Sequence, residues 1–130
     1  MKHYTDLLPA HHHVVVLGAT PKPGRYANQA IVLLKSKDYR VTPVHPKFAE
    51  IEQLTVVNSL CDIQDEVHTL TLYVGAARLE PMIDEILSLK PGRIIFNPGT
   101  ESRELQQALT DASIDWEEAC TLVMLQTGQF

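Results

Sequence analysis

Gly18, Thr20, Lys22 and Arg25 fall within one short stretch, Gly18-Ala19-Thr20-Pro21-Lys22-Pro23-Gly24-Arg25. Gly18 and Thr20 can offer backbone N–H and hydroxyl donors, while Lys22 and Arg25 supply positive charge, a combination that suits a phosphate. The stretch follows a β-branched apolar run, Val14-Val15-Val16-Leu17, and precedes an amphipathic helical pattern that begins near Arg25. Strand, glycine-containing turn and helix start together aim backbone N–H groups at an anion. Gly18 suits the turn because it takes backbone angles that a residue with a side chain avoids.

Other reactive residues form no comparable arrangement. Cys61 and Cys120 lie far apart and make neither a disulfide framework nor a CxxC motif. Cys120 sits in an apolar run with no adjacent base in sequence, which reads as a buried, inert thiol. His11, His12 and His13 lead directly into the first strand, where neighbours point to opposite faces and do not converge on a metal. His68 reads as a surface residue just before a strand. Glu117 and Glu118 point to opposite faces if that stretch is extended, so they do not form a carboxylate pair. No Ser-His-Asp order and no HExxH motif stands out.

The elements that must position the loop can be read in order. Tyr4–Ala10 has the pattern of a short helix that Pro9 disturbs, and Val14–Leu17 is a strand buried on both faces. Apolar residues recur at helical spacing from Arg25 to Asp38, and Tyr39–Val44 reads as a second strand stopped by Pro46. Val56-Val57 is a candidate short strand, and Ser59 a candidate cap for one helical turn through Ile63. Thr69–Val74 is the next strong strand, ending at Gly75. A helix is expected over Arg78–Lys90 with Pro81 in its first turn, broken by Pro91-Gly92. Arg93–Phe96 is another buried strand, and Thr100 is placed to cap a helix carrying Leu105, Ala108 and Leu109 inward. Ile114–Ala119 reads as a last strand and Thr121–Phe130 as an apolar tail.

Strands and helices thus alternate, which predicts an α/β, doubly wound, mainly parallel sheet of about five strands with helices on both faces. Ligands of such sheets bind beyond the carboxyl ends of the strands. Here those ends are Gly18–Arg25, Val44–Lys47, Val74-Gly75 and Asn97–Thr100, all rich in Gly, Pro or polar residues.

Bulk properties narrow the ligand. At 130 residues, with 45% hydrophobic and 21% charged residues, residues 1–130 are expected to form one globular domain. The net charge of −5 and the lack of a basic run argue against general nucleic-acid binding. No apolar run approaches the roughly 18 residues that span a membrane, and the first residues lack the apolar core of a signal peptide. A reduced, cytoplasmic setting is the expectation.

A dinucleotide site would show G-x-G-x-x-G and a carboxylate at the end of the second strand. Only Gly18 and Gly24 are present, and the second strand ends in Pro43-Val44-His45-Pro46, without an acid. A ligand with phosphates and an extended, uncharged arm fits better.

Gly18–Tyr26 together with Pro43-Val44-His45-Pro46 resembles the small single-domain CoA-binding proteins. These are similar to the nucleotide-binding domain at the start of the succinyl-CoA synthetase α subunit. The resemblance continues through Leu72-Tyr73-Val74-Gly75, Ile95–Glu101 and Glu118–Leu125, from about His12 to Phe130. It implies a Rossmann-like domain with coenzyme A lying across the strand ends. Gly18, Thr20, Lys22 and Arg25 would then meet the phosphates, with Ala19 in the same turn among the binding residues. His45 and Pro46 would flank the nucleotide, and Val74-Gly75 with Asn97-Pro98-Gly99 would line the arm. His45 departs from the pattern, since many relatives carry Asn there; an imidazole can still donate or accept one bond.

The synthetase-type reaction needs a phosphorylated histidine and an ATP-grasp partner, for which this chain has no room. Three readings remain open: a module that binds coenzyme A or an acyl-CoA without catalysis of its own, an NAD(P)-linked oxidoreductase-like protein, and an interaction protein whose nucleotide site has decayed. The first is favoured, with a small-molecule ligand as partner, no metal, no nucleic acid and no membrane.

Overall fold

The computed structural model describes residues 4–130. Its centre is β1 (His13–Leu17), buried along its whole length because both sheet faces are covered. A turn leads into α1 (Tyr26–Ser36), which returns the chain to β2 (Arg40–Val44), parallel to β1. A two-stranded antiparallel hairpin follows, β3 (Glu50–Ile51) with β4 (Leu54–Thr55). The chain then crosses to the other side of β1 and forms β5 (Thr69–Leu72), again parallel. Next come α2 (Ala76–Leu79), a 3-10 turn and α3 (Ile83–Leu89), then β6 (Arg93–Phe96). The chain ends with α4 (Arg103–Asp111), β7 (Asp115–Glu118) and α5 (Thr121–Gln126).

The main sheet is fully parallel with strand order β2-β1-β5-β6-β7. Alternation along the strands divides the core into two layers. Val15 and Leu17 pack with Leu70, Ile94, Phe96, Leu105 and Ile86 on one face. Val14 and Val16 pack with Ile31, Leu34, Ile95 and Leu125 on the other. A doubly wound Rossmann-like sheet is therefore observed as expected. No helix among the described residues is long and apolar enough to cross a membrane.

Several local expectations change. Tyr4–Ala10 is not a helix; only Pro9–His11 forms a 3-10 turn. Val56-Val57 is not a strand, although Val57 makes an isolated parallel bridge with Val44. The expected helix over Arg78–Lys90 begins earlier, after Gly75, and Pro81 interrupts it instead of starting it. Proline has no N–H to donate to the preceding turn, so the path tightens over Glu80–Met82 before α3 resumes. Ser102, not Thr100, caps α4: its Oγ accepts from Leu105 N at 3.2 Å. Thr100 is occupied elsewhere, donating its hydroxyl to the Asn97 carbonyl at 2.8 Å. The apolar tail contains α5, and Phe130 beyond it is buried.

His12 and His13 enter the core. His12 bonds Thr69 Oγ1 through Nε2 at 2.8 Å, and His13 bonds Thr42 Oγ1 and the Glu66 carbonyl. His68 is half-buried rather than superficial, and its Nδ1 accepts from His13 N at 3.1 Å.

Candidate functional site

The chain leaves β1 toward one edge of the sheet and returns toward the other, so a crevice opens at the carboxyl ends of β1 and β5. Gly18 closes its floor. Its N–H and that of Ala19 both lie 3.2 Å from the Val44 carbonyl, and Tyr73 N donates to Leu17 O at 2.9 Å. Gly18 has φ +88°, and a Cβ there would lie 2.7 Å from Val74 Cγ1 and 3.0 Å from the Tyr73 backbone. Both backbone angle and close approach therefore require glycine.

Three cavities follow this rim. The first, about 420 Å³, is bounded by Gly18, Thr20, Lys22, Arg25, Val74, Gly75, Pro98 and Gly99, all expected from sequence, with Tyr26 and Tyr73. The second, about 400 Å³, lies on the β2 side and is lined by Ala19, His45 and Pro46 together with Tyr73, Arg78 and Glu85. The third, about 250 Å³, lies toward β7 and brings Asn97 and Pro98 against Tyr26, Tyr73, Cys120 and Leu122. The expected site residues thus fall on one continuous rim, divided among three compartments.

The first cavity opens onto the start of α1. Arg25 holds the cap position with extended backbone, and no side chain caps the helix. The positive end of the helix dipole and its first N–H groups are left for an anion. Around it, the side chains of Lys22 and Arg25 are exposed and make no hydrogen bond or ion pair among the described residues. Thr20 shapes the loop: its Oγ1 accepts from Lys22 N at 3.2 Å, and its carbonyl accepts from Asn28 Nδ2 at 3.0 Å.

The second cavity holds a different set of polar groups. His45 Nδ1 accepts from Lys47 N at 3.0 Å, which leaves Nε2 as the ring's free nitrogen. Partial burial, then the nearby charges of Arg78 and Lys47, lower the His45 pKa below its ordinary value. The site thus disfavours charge on this ring, and the cation among the lining side chains is Arg78. Glu85 brings a carboxylate that the end of β2 lacks.

Asn97 is turned inward. Its Nδ2 donates to Thr71 Oγ1 at 2.6 Å and to Leu72 O at 2.9 Å, and its Oδ1 accepts from Thr121 N at 2.9 Å. Its amide ties three elements together and offers no free group to the rim.

Tyr73, Arg78 and Glu85 escape the sequence reading. Tyr73 follows the last residue of β5, so its place in the chain puts it at the rim, and it borders all three cavities. Burial pushes its phenol up to about 12, partly offset by the Thr121 and Thr71 hydroxyls beside it. Arg78 and Glu85 stand on separate helical pieces, and no local spacing in sequence marks them.

Comparison with known proteins places this geometry. A family described as "CoA binding domain" matches residues 12–126. The crystal structure of an uncharacterized protein is 41% identical, with TM-score 0.86 over 92% of this chain and 98% of that one. Cell-free ID.343 from Thermus thermophilus is 29% identical, with TM-score 0.87 over 98% of this chain and 94% of that one. The dinucleotide forming Acetyl-coenzyme A synthetase 1 of Ca. Korarchaeum cryptofilum, in complex with phosphate and ADP, shares the fold at 18% identity and TM-score 0.73. The match spans 89% of this chain and 27% of that one. The sequence matches none of the curated proteins.

Proposed function

The chain belongs to the CoA binding domain family, and from that premise we propose that it binds coenzyme A across the carboxyl rim of its parallel sheet, without a chemical step of its own. The observation that carries this reading is the first cavity. An uncapped helix N terminus and two cations unpaired among the described residues, Lys22 and Arg25, face the same space of about 420 Å³. That donor set fits a diphosphate. Gly75 and Gly99 have open space where a Cβ would project, so an elongated ligand meets backbone there.

In this reading the adenosine 3′-phosphate lies in the second cavity. Arg78 supplies its countercharge, while His45, whose Nδ1 already accepts from Lys47 N, donates a single bond through Nε2. The pantetheine arm passes Val74, Gly75, Pro98 and Gly99. The residues present therefore fit both charged ends of the nucleotide and its uncharged arm.

Glu85 favours a second reading. A carboxylate in the second cavity can accept hydrogen bonds from ribose hydroxyls, as NAD requires. Calorimetric titrations with CoA, NADP and NAD under identical conditions separate the two. The CoA reading expects CoA to bind most tightly, NADP less so and NAD least. The gap from CoA to NAD should be at least tenfold, about 1.4 kcal/mol. NAD binding as tightly as CoA would overturn it.

A further inference from the structure

The third cavity differs in chemistry from the two beside it. At about 250 Å³ it is smaller than a pocket for a whole drug-sized molecule, and so suits one end of a ligand. Its walls are Tyr26, Tyr73, Asn97, Pro98, Cys120 and Leu122, with no Asp, Glu, Lys, Arg or His among them. The Asn97 amide in that wall is engaged with Thr71, Leu72 and Thr121, while the buried Tyr73 hydroxyl has no hydrogen-bond partner among the described residues. A group entering this slot meets mostly apolar surface, with the Tyr73 hydroxyl free to donate one hydrogen bond to a carbonyl such as that of a thioester. The slot shares Tyr26, Tyr73 and Pro98 with the first cavity, so the two lie side by side.

Charge sets the direction of a ligand along the rim, and this step rests on the CoA reading above. The adenosine end of CoA carries a 3′-phosphate and needs a cation. Arg78 in the second cavity has no hydrogen bond or ion pair among the described residues, and the third cavity has no cation at all. The nucleotide end therefore belongs on the β2 side, the diphosphate at the start of α1, and the sulfur end toward β7. A free thiol would leave the apolar slot beyond it unfilled. We infer that the ligand is an acyl-CoA thioester bearing a short, uncharged aliphatic acyl group, and that the slot between Tyr26, Tyr73 and Leu122 holds that group.

The test is a calorimetric series on the full chain with CoA, acetyl-CoA, butyryl-CoA and succinyl-CoA. Each methylene removed from water should tighten binding about fourfold. Butyryl-CoA should therefore bind roughly 15-fold more tightly than acetyl-CoA. Succinyl-CoA, which would place a carboxylate against apolar walls, should bind no more tightly than CoA. Leu122→Trp, which fills the slot from the first turn of α5, should abolish the butyryl advantage and leave CoA affinity in place. Tyr26→Ala changes a side chain that is 73% exposed, so it spares the core, and should reduce the butyryl-to-CoA ratio. Equal affinities for CoA, acetyl-CoA and butyryl-CoA, or a preference for succinyl-CoA, would overturn the acyl slot and leave the CoA reading standing. No binding by any member of the series would overturn both.

Discussion

Arg25 stands where the helix dipole of α1, the glycine turn and the first cavity meet, and its guanidinium is committed to no partner among the described residues. In the proposed complex, Arg25→Glu would remove a charge-assisted contact to phosphate and add repulsion, which should weaken CoA binding by roughly 2–4 kcal/mol. The fold should hardly change, because the residue is exposed. Arg40→Glu is the matching control. Arg40 pairs with Asp65 at the opposite end of the sheet, on the surface, where such a pair is worth about 0–1 kcal/mol. Calorimetry should show a loss of affinity for the first variant only; unchanged affinity would remove Arg25 from the site. At this scale the contiguous residues were legible. Gly18, Thr20, Lys22 and Arg25 sit on one loop, so their spacing carries the inference. Arg78 and Glu85 were not, because only the crossover from β5 to β6 brings them to the β2 side of the crevice. Nor did the sequence reveal that the His45 pKa is lowered, since its desolvation and the proximity of Arg78 are properties of the fold.

Asn97 shows how a rim residue can serve the elements instead of the ligand. The sequence places it at the end of β6 and rightly marks that end as rim, but cannot show that the amide turns inward. Its bonds to Thr71 and Leu72 hold the end of β5, and its bond to Thr121 N supplies the missing acceptor at the start of α5. No side chain at Cys120, the cap position of α5, does this. Asn97→Ala leaves buried groups on β5 and α5 unpaired, at a cost of roughly 2–4 kcal/mol. Urea denaturation should show a lower midpoint with an unchanged slope; a loss below about 1 kcal/mol would mean that these bonds are replaced by others. The strands themselves were legible from β-branched runs between turn residues. The helical pieces were less so. Pro81 breaks a continuous apolar periodicity, and α5 is short and apolar enough to pass for a tail.

The whole molecule is polarised along its strands. The carboxyl end is open and holds Lys22, Arg25 and Arg78, unpaired among the described residues, while the amino end is closed by rings packed around two buried basic residues. His12, fully buried, stacks on Phe130 with ring centroids 5.1 Å apart and meets Tyr39 edge-on at 5.3 Å. Arg93, 1% exposed, lies over the rings of Phe130 and Tyr4 and donates from Nε to Thr69 Oγ1 at 2.9 Å. Burial, then the charges of Arg93, His68 and His13, lower the His12 pKa to about 3. Burial also lowers that of His13. Unfolded, each histidine returns to about 6.5. Between these values the unfolded chain binds more protons than the native one, so stability must rise with pH across that window. For His12 the contribution is fully present above about 6.5 and is lost progressively as the pH falls toward 3. Each histidine adds up to about 1.4 kcal/mol per pH unit to that slope. His12→Phe keeps an aromatic ring against Phe130 and Tyr39 but removes the titrating group. Unfolding free energies from urea titrations taken from pH 8 down to pH 4.5 should fall for both proteins, and less steeply for the variant by up to about 1.4 kcal/mol per unit. The comparison depends on slopes, so a constant offset from losing the Thr69 bond does not disturb it. Parallel curves would place the acid sensitivity outside this cluster and leave His12 as a packing ring alone.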